Sequence, residues 1–448
     1  MKRLTLEATD ENVLKALKNN EYNKNEDIKH FIEALDLLDG NAFISLDGKW
    51  GEGKTFYVQQ IAMTLEYLRR NTMKYEDEKT TNMKETFKGT ELENISINNT
   101  FFPIYYNAWL YDNHNDPLLS LVYNILKKTK EYWYSSEKSQ SIKDKLSKLV
   151  SSVNVSIGNG IFNVGIDGEK FLNVFKKDDI FEEIKLAEEL RELVKDIFND
   201  IIVENGQRLV IFVDELDRCR PSFAIEMLER MKHYFDDESL IFITSVNKKQ
   251  LVNTISKYYG QDFNSSGYLN KFFDFNINMP TLKKQSTLTT YRDGERIFYN
   301  VVNDLSEYFD LSLRDTIVYK QRCEQISGNF LFDFDVLGMM LSVCVPIIVL
   351  LDIVDQNEKR KFLVGDFECF DTWCLTIPGL KYVAEEFANA RNRIDPDISL
   401  TSGINKIKDI YVFAFKGIKT VGYKDNEKLI NCCSDLKSLS IKLSNGYK

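Results

Sequence analysis

Eight consecutive residues, Gly48-Lys49-Trp50-Gly51-Glu52-Gly53-Lys54-Thr55, fit the pattern G-x-x-x-x-G-K-[ST] in full. Gly48, Gly51 and Gly53 let the backbone curl until successive N–H groups face one point, an arrangement that suits phosphate oxygens. Lys54 is spaced to reach the β- and γ-phosphates, and the Thr55 hydroxyl to ligate Mg2+. Trp50 and Glu52 lie inside the loop and Phe56 follows it, so residues 48–56 form the expected nucleotide-contacting segment. A second group of residues completes this chemistry. Leu209-Val210-Ile211-Phe212-Val213 is an apolar run ending in Asp214-Glu215. Asp214 is expected to hold Mg2+ or its water, and Glu215 to orient or deprotonate an attacking water. Asp217-Arg218 extends the acidic run. Asp217 reads either as a further catalytic carboxylate or as a cap and ion-pair partner for the next helix. Arg218 reads as its partner or as a phosphate contact across a subunit interface. A third strand end, Thr244-Ser245-Val246-Asn247, offers Asn247 as a γ-phosphate sensor or holder of the lytic water, or as an ordinary turn former.

Such a site needs a strand before the loop and a helix after it. Ala42 to Leu46 is a short apolar run suited to a buried strand, and Phe56 to Arg70 lacks Gly and Pro, as a helix requires. Upstream, Asp27 to Leu38 has helical spacing, with Gly40 as a C-cap. Residues 71–100 are polar and read as a solvated loop or helix end. Phe101 to Tyr106 reads as a strand, and Asp116-Pro117 opens a helix. Residues 140–178 read as an inserted hairpin around Gly158-Asn159-Gly160. Lys185 to Val203 is helical, Leu240 to Thr244 is another buried strand, and Ser222 to Phe235 is the helix before it. Strands alternating with helices predict an α/β fold with a parallel sheet, covered on both faces. From about residue 285 strand signals thin out, and Asp293 to Phe309 and Arg314 to Ile326 read as helices. The expected division is a nucleotide-binding domain over 1–285 and a mainly helical domain over 286–448.

At 448 residues the chain suits two or three domains, and 43% hydrophobic residues can bury a sizeable core. A net charge of −10 disfavours a general nucleic-acid coat. The 7 cysteines show no regular framework and no apolar leader opens the chain, which together point to a reducing, cytoplasmic setting. Val336 to Leu351 carries no charge, but it is short for a spanning helix and Pro346 interrupts it. A buried core helix is expected there and no membrane span. Cys369, Cys374, Cys432 and Cys433 are read as plain thiols rather than a zinc site. The lysine-rich segment from Ile142 to Lys148 reads as a solvated helix face.

Four segments in order resemble the KAP-type P-loop NTPases. The loop GKWGEGKT is similar to that family's G-x-W-G-x-G-K-[ST]. Asn107-Ala108-Trp109-Leu110-Tyr111, followed by Asp116-Pro117-Leu118, resembles its NAW-x-Y…DPL segment. Asp214 to Cys219 is similar to its extended acidic motif, and Tyr268-Leu269-Asn270-Lys271-Phe272-Phe273, ending at Pro280, to its YLEK…P segment. The resemblance covers roughly residues 10–320. It implies nucleotide binding on a parallel-sheet core of the additional-strand class, followed by a helical domain. It also implies Lys271 as a trans-acting or sensing cation and Arg314 as a nucleotide-sensing arginine of the helical domain. The alternative for both is a surface cation in a salt bridge. Trp109 is expected to pack in the core behind the sheet.

Many members carry transmembrane helices between the two nucleotide motifs, whereas this chain holds the polar insert at 140–178. That resembles the soluble bacterial members, several of which are linked to defence against phage. ATP is expected over GTP, because Asn247-Lys248-Lys249 lacks the Asp of a guanine-reading strand end. The expected activity is an ATPase with Mg2+, working as a nucleotide-driven switch with a protein partner or effector and able to self-associate. Two other readings fit the same residues. One is a regulatory scaffold that binds nucleotide but turns over slowly; the other is a nucleic-acid loader or translocase, which the acidic charge disfavours.

Overall fold

The computed structural model describes residues 7–114, 116–129, 206–280, 293–327, 336–364, 369–389 and 396–416, with six further positions between 192 and 199. The chain divides into two compact units, Glu7–Gln285 and one built on Ser286–Lys448.

The first unit is organised by five parallel strands: β1 (Ala42–Asp47), β2 (Phe101–Asn107), β3 (Arg208–Asp214), β4 (Leu240–Val246) and β5 (Phe275–Asn278). Their order across the sheet is β2-β3-β4-β1-β5. β4 therefore separates β1 from β3, the additional-strand arrangement. Every residue of β3 and β4 is buried, as a parallel sheet covered on both faces demands. The pleat sends Leu209, Ile211 and Val213 into one core and Val210 and Phe212 into the other. β5 is a short edge strand with Phe275 exposed. Its sequence Phe275-Asn276-Ile277-Asn278 alternates and is too brief to stand out as a strand.

The helices of this unit include α1 (Asp10–Lys18), α2 (Asn25–Asp36), α3 (Lys54–Thr72), α4 (Glu78–Phe87), α5 (Ala108–Tyr111), α6 (Pro117–Thr129), α7 (Pro221–Tyr234), α8 (Lys248–Tyr259) and α9 (Ser265–Leu269). Three details depart from the sequence-based expectations. α2 stops at Asp36 with Leu37 as its C-cap, so Gly40, at φ +71°, serves the turn into β1 instead. The polar stretch 71–100 is not a solvated loop: it contains α4, and Met83, Phe87, Leu92 and Ile95 are buried in the core around α3. Its few apolar residues fall on one face, which a high average polarity conceals. Trp109 is 49% exposed rather than packed behind the sheet. The inserted hairpin read at 140–178 lies outside the described residues.

The end of α3 is held by charge. Arg69 and Arg70 are buried, and both donate to the buried Glu66, at 2.9 and 2.7 Å. Arg70 also reaches Asp77 at 2.7 Å, and Asp77 caps α4 by accepting from the Thr80 N–H. The Arg69 guanidinium lies 4.7 Å from the Phe102 ring centre. Burial pushes the Glu66 carboxyl up, but the hydrogen bonds and charges of Arg69 and Arg70 outweigh it and hold the group below its ordinary value of 4.5.

The second unit is helical: α10 (Asp293–Tyr308), α11 (Leu313–Ser327), α12 (Val336–Val354), α13 (Gln356–Leu363), α14 (Phe370–Thr376), α15 (Pro378–Asn389) and α16 (Pro396–Lys416). α12 lies at its centre, with Met340, Leu341, Ile347, Ile348 and Leu350 buried among Phe298, Val301, Leu305 and Tyr411. The Tyr319 hydroxyl donates to the Pro346 carbonyl at 3.1 Å. Among the described residues no helix is long and apolar enough to cross a membrane. Cys374 is buried and Cys369 exposed, and no group of three or more metal-ligating side chains occurs among the described residues; Cys432 and Cys433 lie outside them.

Glu66→Gln strips two buried guanidinium groups of their shared anion. The expected cost is about 3–5 kcal/mol, read as a lowered midpoint in chemical denaturation. Because the folded pKa is depressed, Glu66 adds stability above pH 4.5 that is lost as pH falls through the folded value. The variant's stability should therefore change less than the wild type's over that acid range.

Candidate nucleotide-binding site

The carboxyl end of β1 runs directly into the loop and then into α3. The Gly48 N–H donates to the Val246 carbonyl at 3.1 Å, which seats the loop against the end of β4. Gly51 and Gly53 have φ of +86° and +83°, left-handed values that a side chain disfavours. Gly53 is the N-cap of α3, and its carbonyl accepts the first helical bond, from the Tyr57 N–H at 2.9 Å. The N–H groups of Lys54, Thr55 and Phe56 thus have no partner within the helix, and they carry its positive end. Within the loop, the Lys49 N–H donates to the Glu52 carboxylate at 2.7 Å. Glu52 therefore shapes the turn from inside.

Lys54 is buried, and its ammonium donates to the Gly48 and Lys49 carbonyls at 2.7 and 3.1 Å. Burial lowers its pKa, while the charges of Asp217, Asp214 and Glu52 pull it back up. Glu52 belongs to the loop itself, whereas Asp214 and Asp217 act on the ammonium from far along the chain. Parallel register explains part of this. Asn107, Asp214 and Ser245 pair laterally across β2, β3 and β4 at the carboxyl end of the sheet. Asp214 continues the Val210–Phe212 row, so it faces the same side as α3.

Asp214 is almost fully buried and accepts from the Tyr105 hydroxyl and the Glu215 N–H, both at 2.9 Å. Burial and the Asp214 charge push the Tyr105 phenol up, so it stays a proton donor. Glu215 has φ +59°, a left-handed backbone for a residue with a full side chain. One carboxylate oxygen meets Arg218 at 3.2 Å and the other accepts from the Asn107 amide at 3.3 Å. Burial raises the Glu215 pKa, Arg218 opposes the rise and Asp214 adds to it. The Arg218 guanidinium in turn lies 5.5 Å from the exposed Trp109 ring. Asp217 is buried on the short turn after Glu215 and accepts from the Trp50 indole N–H at 2.5 Å.

The donor set suits Mg2+. Thr55 and Asp214 offer a hydroxyl and a single carboxylate, the hard oxygens this ion takes together with phosphate and water. Beside Asp214 the Ser245 hydroxyl is buried and has no hydrogen-bond partner among the described residues, a polar atom available to a hydration shell.

The remaining expected residues are placed differently. Asn247 follows β4 and caps α8, its side chain accepting from the Gln250 N–H at 3.2 Å. Lys271 is exposed four residues ahead of β5, and its side chain makes no hydrogen bond or ion pair among the described residues. Arg314 is exposed near the start of α11, in the other unit. Sequence reasoning overlooked Tyr105, the Asn107 side chain and Ser245. Asn107 was visible only as part of a family segment. The other two looked like ordinary strand residues, and their alignment with Asp214 comes from strand pairing alone.

The sequence profile of the KAP family P-loop domain matches residues 10–294, and the chain belongs to that family. It is also similar to the uncharacterized protein MJ0182 of Methanocaldococcus jannaschii, at 30% identity over 171 aligned positions, taking in 31% of this chain and 86% of that protein. An alignment with the Aeropyrum pernix ORC2 protein, solved as ADPNP-ADP complexes, spans 95% of this chain and 84% of that one. Its TM-score is 0.30 at 12% identity, too slight a likeness to argue from.

Gly53→Ala should keep the fold but force a side chain into a left-handed backbone, at about 1–2 kcal/mol. The expected result is a lower thermal midpoint together with weaker binding of a fluorescent ATP analogue.

Proposed function

We propose that this KAP-family P-loop protein binds ATP with Mg2+ and hydrolyses it slowly, as a nucleotide-driven switch that acts on a protein partner. The observation that carries this reading is the meeting of Lys54, Asp214, Glu215 and Asp217 at one end of the sheet, beside the open N-terminus of α3. On binding, Lys54 would exchange its two loop carbonyls for the β- and γ-phosphate oxygens. The N–H groups of residues 53–56 would hold the remaining phosphate charge. Thr55 and Asp214 would hold Mg2+, with Tyr105 fixing the Asp214 carboxylate. When bound, the ion neutralises charge on the β- and γ-oxygens. Glu215 would accept the proton of the attacking water, and Asn247 would orient that water.

Both carboxylate oxygens of Glu215 are engaged, one by Arg218 and one by Asn107. Each oxygen keeps a second lone pair for a water, so these contacts orient the base while the Arg218 charge holds its basicity down, which supports a low resting rate and a regulated cycle. It also brings the switch close to the alternative of a slowly turning regulatory scaffold. The similarity to soluble members linked to phage defence supports a role there with an effector, in the cytoplasm. A nucleic-acid partner is not favoured, given the net charge of −10.

Lys54→Ala should abolish ATP binding in calorimetry; wild-type turnover by this variant would refute the site. Glu215→Gln should bind ATP but lose at least about a hundredfold in kcat. Glu215 acts as a base only when ionised, and burial raises its pKa above the ordinary 4.5. The rate should therefore climb as pH rises through that raised value, and the limb should vanish in Glu215→Gln. In cells, loss of phage protection on Lys54→Ala would support the defence role, and unchanged plaque counts would oppose it.

A further inference from the structure

β4 lies between β1 and β3, so the loop and the Asp214 strand end share no ladder hydrogen bond. At the usual strand spacing the two are about 10 Å apart. Among the described residues a side-chain hydrogen bond bridges them: the Trp50 indole N–H donates to Asp217 at 2.5 Å, across 167 residues of sequence. Asp217 is buried at 6% exposure, whereas Trp50, at the loop tip, is 46% exposed. A tryptophan there is not explained by packing. Its one polar atom, a donor that can do nothing else, is turned inward onto a carboxylate. That carboxylate also heads the charges that act on Lys54.

We propose that Asp217 is a positioning residue: by accepting the Trp50 N–H it latches the loop tip to the acidic turn and sets the loop in its phosphate-binding shape. The bond is partly shielded from water, so it is worth more there than at an open surface. Gly51 follows Trp50 with φ +86°, a permissive joint that Glu52 steadies from the Lys49 side and that leaves the indole side to be held. The latch supplies that hold. It also couples the loop to the turn bearing Glu215 and Arg218, so movement of either half is felt by the other. Asp217 then neither takes a proton nor ligates metal, and its oxygen matters as an acceptor more than as a charge.

This inference rests on the ATPase reading above, and a mutant cycle in the full-length chain separates the two. Trp50→Phe removes the donor, Asp217→Ala the acceptor, and Asp217→Asn keeps an acceptor oxygen without the charge. KM for ATP with Mg2+, kcat and the thermal midpoint are measured for each, and for the Trp50→Phe/Asp217→Ala double variant. Trp50→Phe and Asp217→Ala should each raise KM by about tenfold while kcat falls far less. The double variant should be no worse than the poorer single. Asp217→Asn should recover most of the affinity. Additive effects in the double variant would overturn the latch. So would a loss of kcat at unchanged KM in Asp217→Asn, the mark of a base or metal ligand. If Asp217→Ala does not fold, the other two singles still decide: Trp50→Phe weakened with Asp217→Asn near wild type supports the latch, and the reverse overturns it. A wild-type protein with no ATP binding or turnover would instead refute the ATPase reading, before any variant is made.

Discussion

The parallel ladder that places β4 between β1 and β3 is the constraint on which the site depends. It aligns Asn107, Asp214 and Ser245 in one lateral row and turns that row toward α3. It also leaves a strand-wide gap between the phosphate loop and its acidic partners. A gap of that width leaves room for a nucleotide's outer phosphates and a metal ion. The ladders of β4 with β1 and β3 fix the spacing of the strands, and beyond the strand ends side chains complete the link between the loop and the acidic turn.

α3 links this end of the sheet to the opposite end. Its N-terminus supplies the unpaired N–H groups of the phosphate site. Its last turns carry Arg69 and Arg70, which sit favourably at the negative end of a helix and are neutralised by Glu66 and Asp77. Burying two guanidinium groups is tolerable only with such partners. The helix is thereby pinned at its far end by charge and along its length by Tyr57, Val58, Ile61 and Leu65 in the core. A helix fixed in this way can present the loop at a constant height over Asp214.

Around Lys54 the charges are arranged for a visitor. Three carboxylates stand near one buried ammonium, and Glu215 is further restrained by Arg218 and Asn107. Each restraint uses a residue that also does something else: Asn107 caps α5, and Arg218 rests on Trp109. Arg218 therefore connects the exposed Trp109 with Glu215.

The sequence by itself determined the parts whose chemistry is local. The glycines and Lys54-Thr55 of the loop, the apolar run ending in Asp214-Glu215, and the alternation of strands and helices were all legible, because each rests on neighbours a few residues apart. The fold class and its additional-strand sheet were also legible, through the family segments. Only the tertiary structure decided the rest. Tyr105 meets Asp214 across 109 residues, Asn107 meets Glu215 across 108, and Trp50 meets Asp217 across 167. The same holds for the helix hidden in the polar stretch after α3, whose buried Met83 and Phe87 are set by what they pack against. Register and lateral packing bring such pairs together, and neither is written in the spacing of residues along the chain.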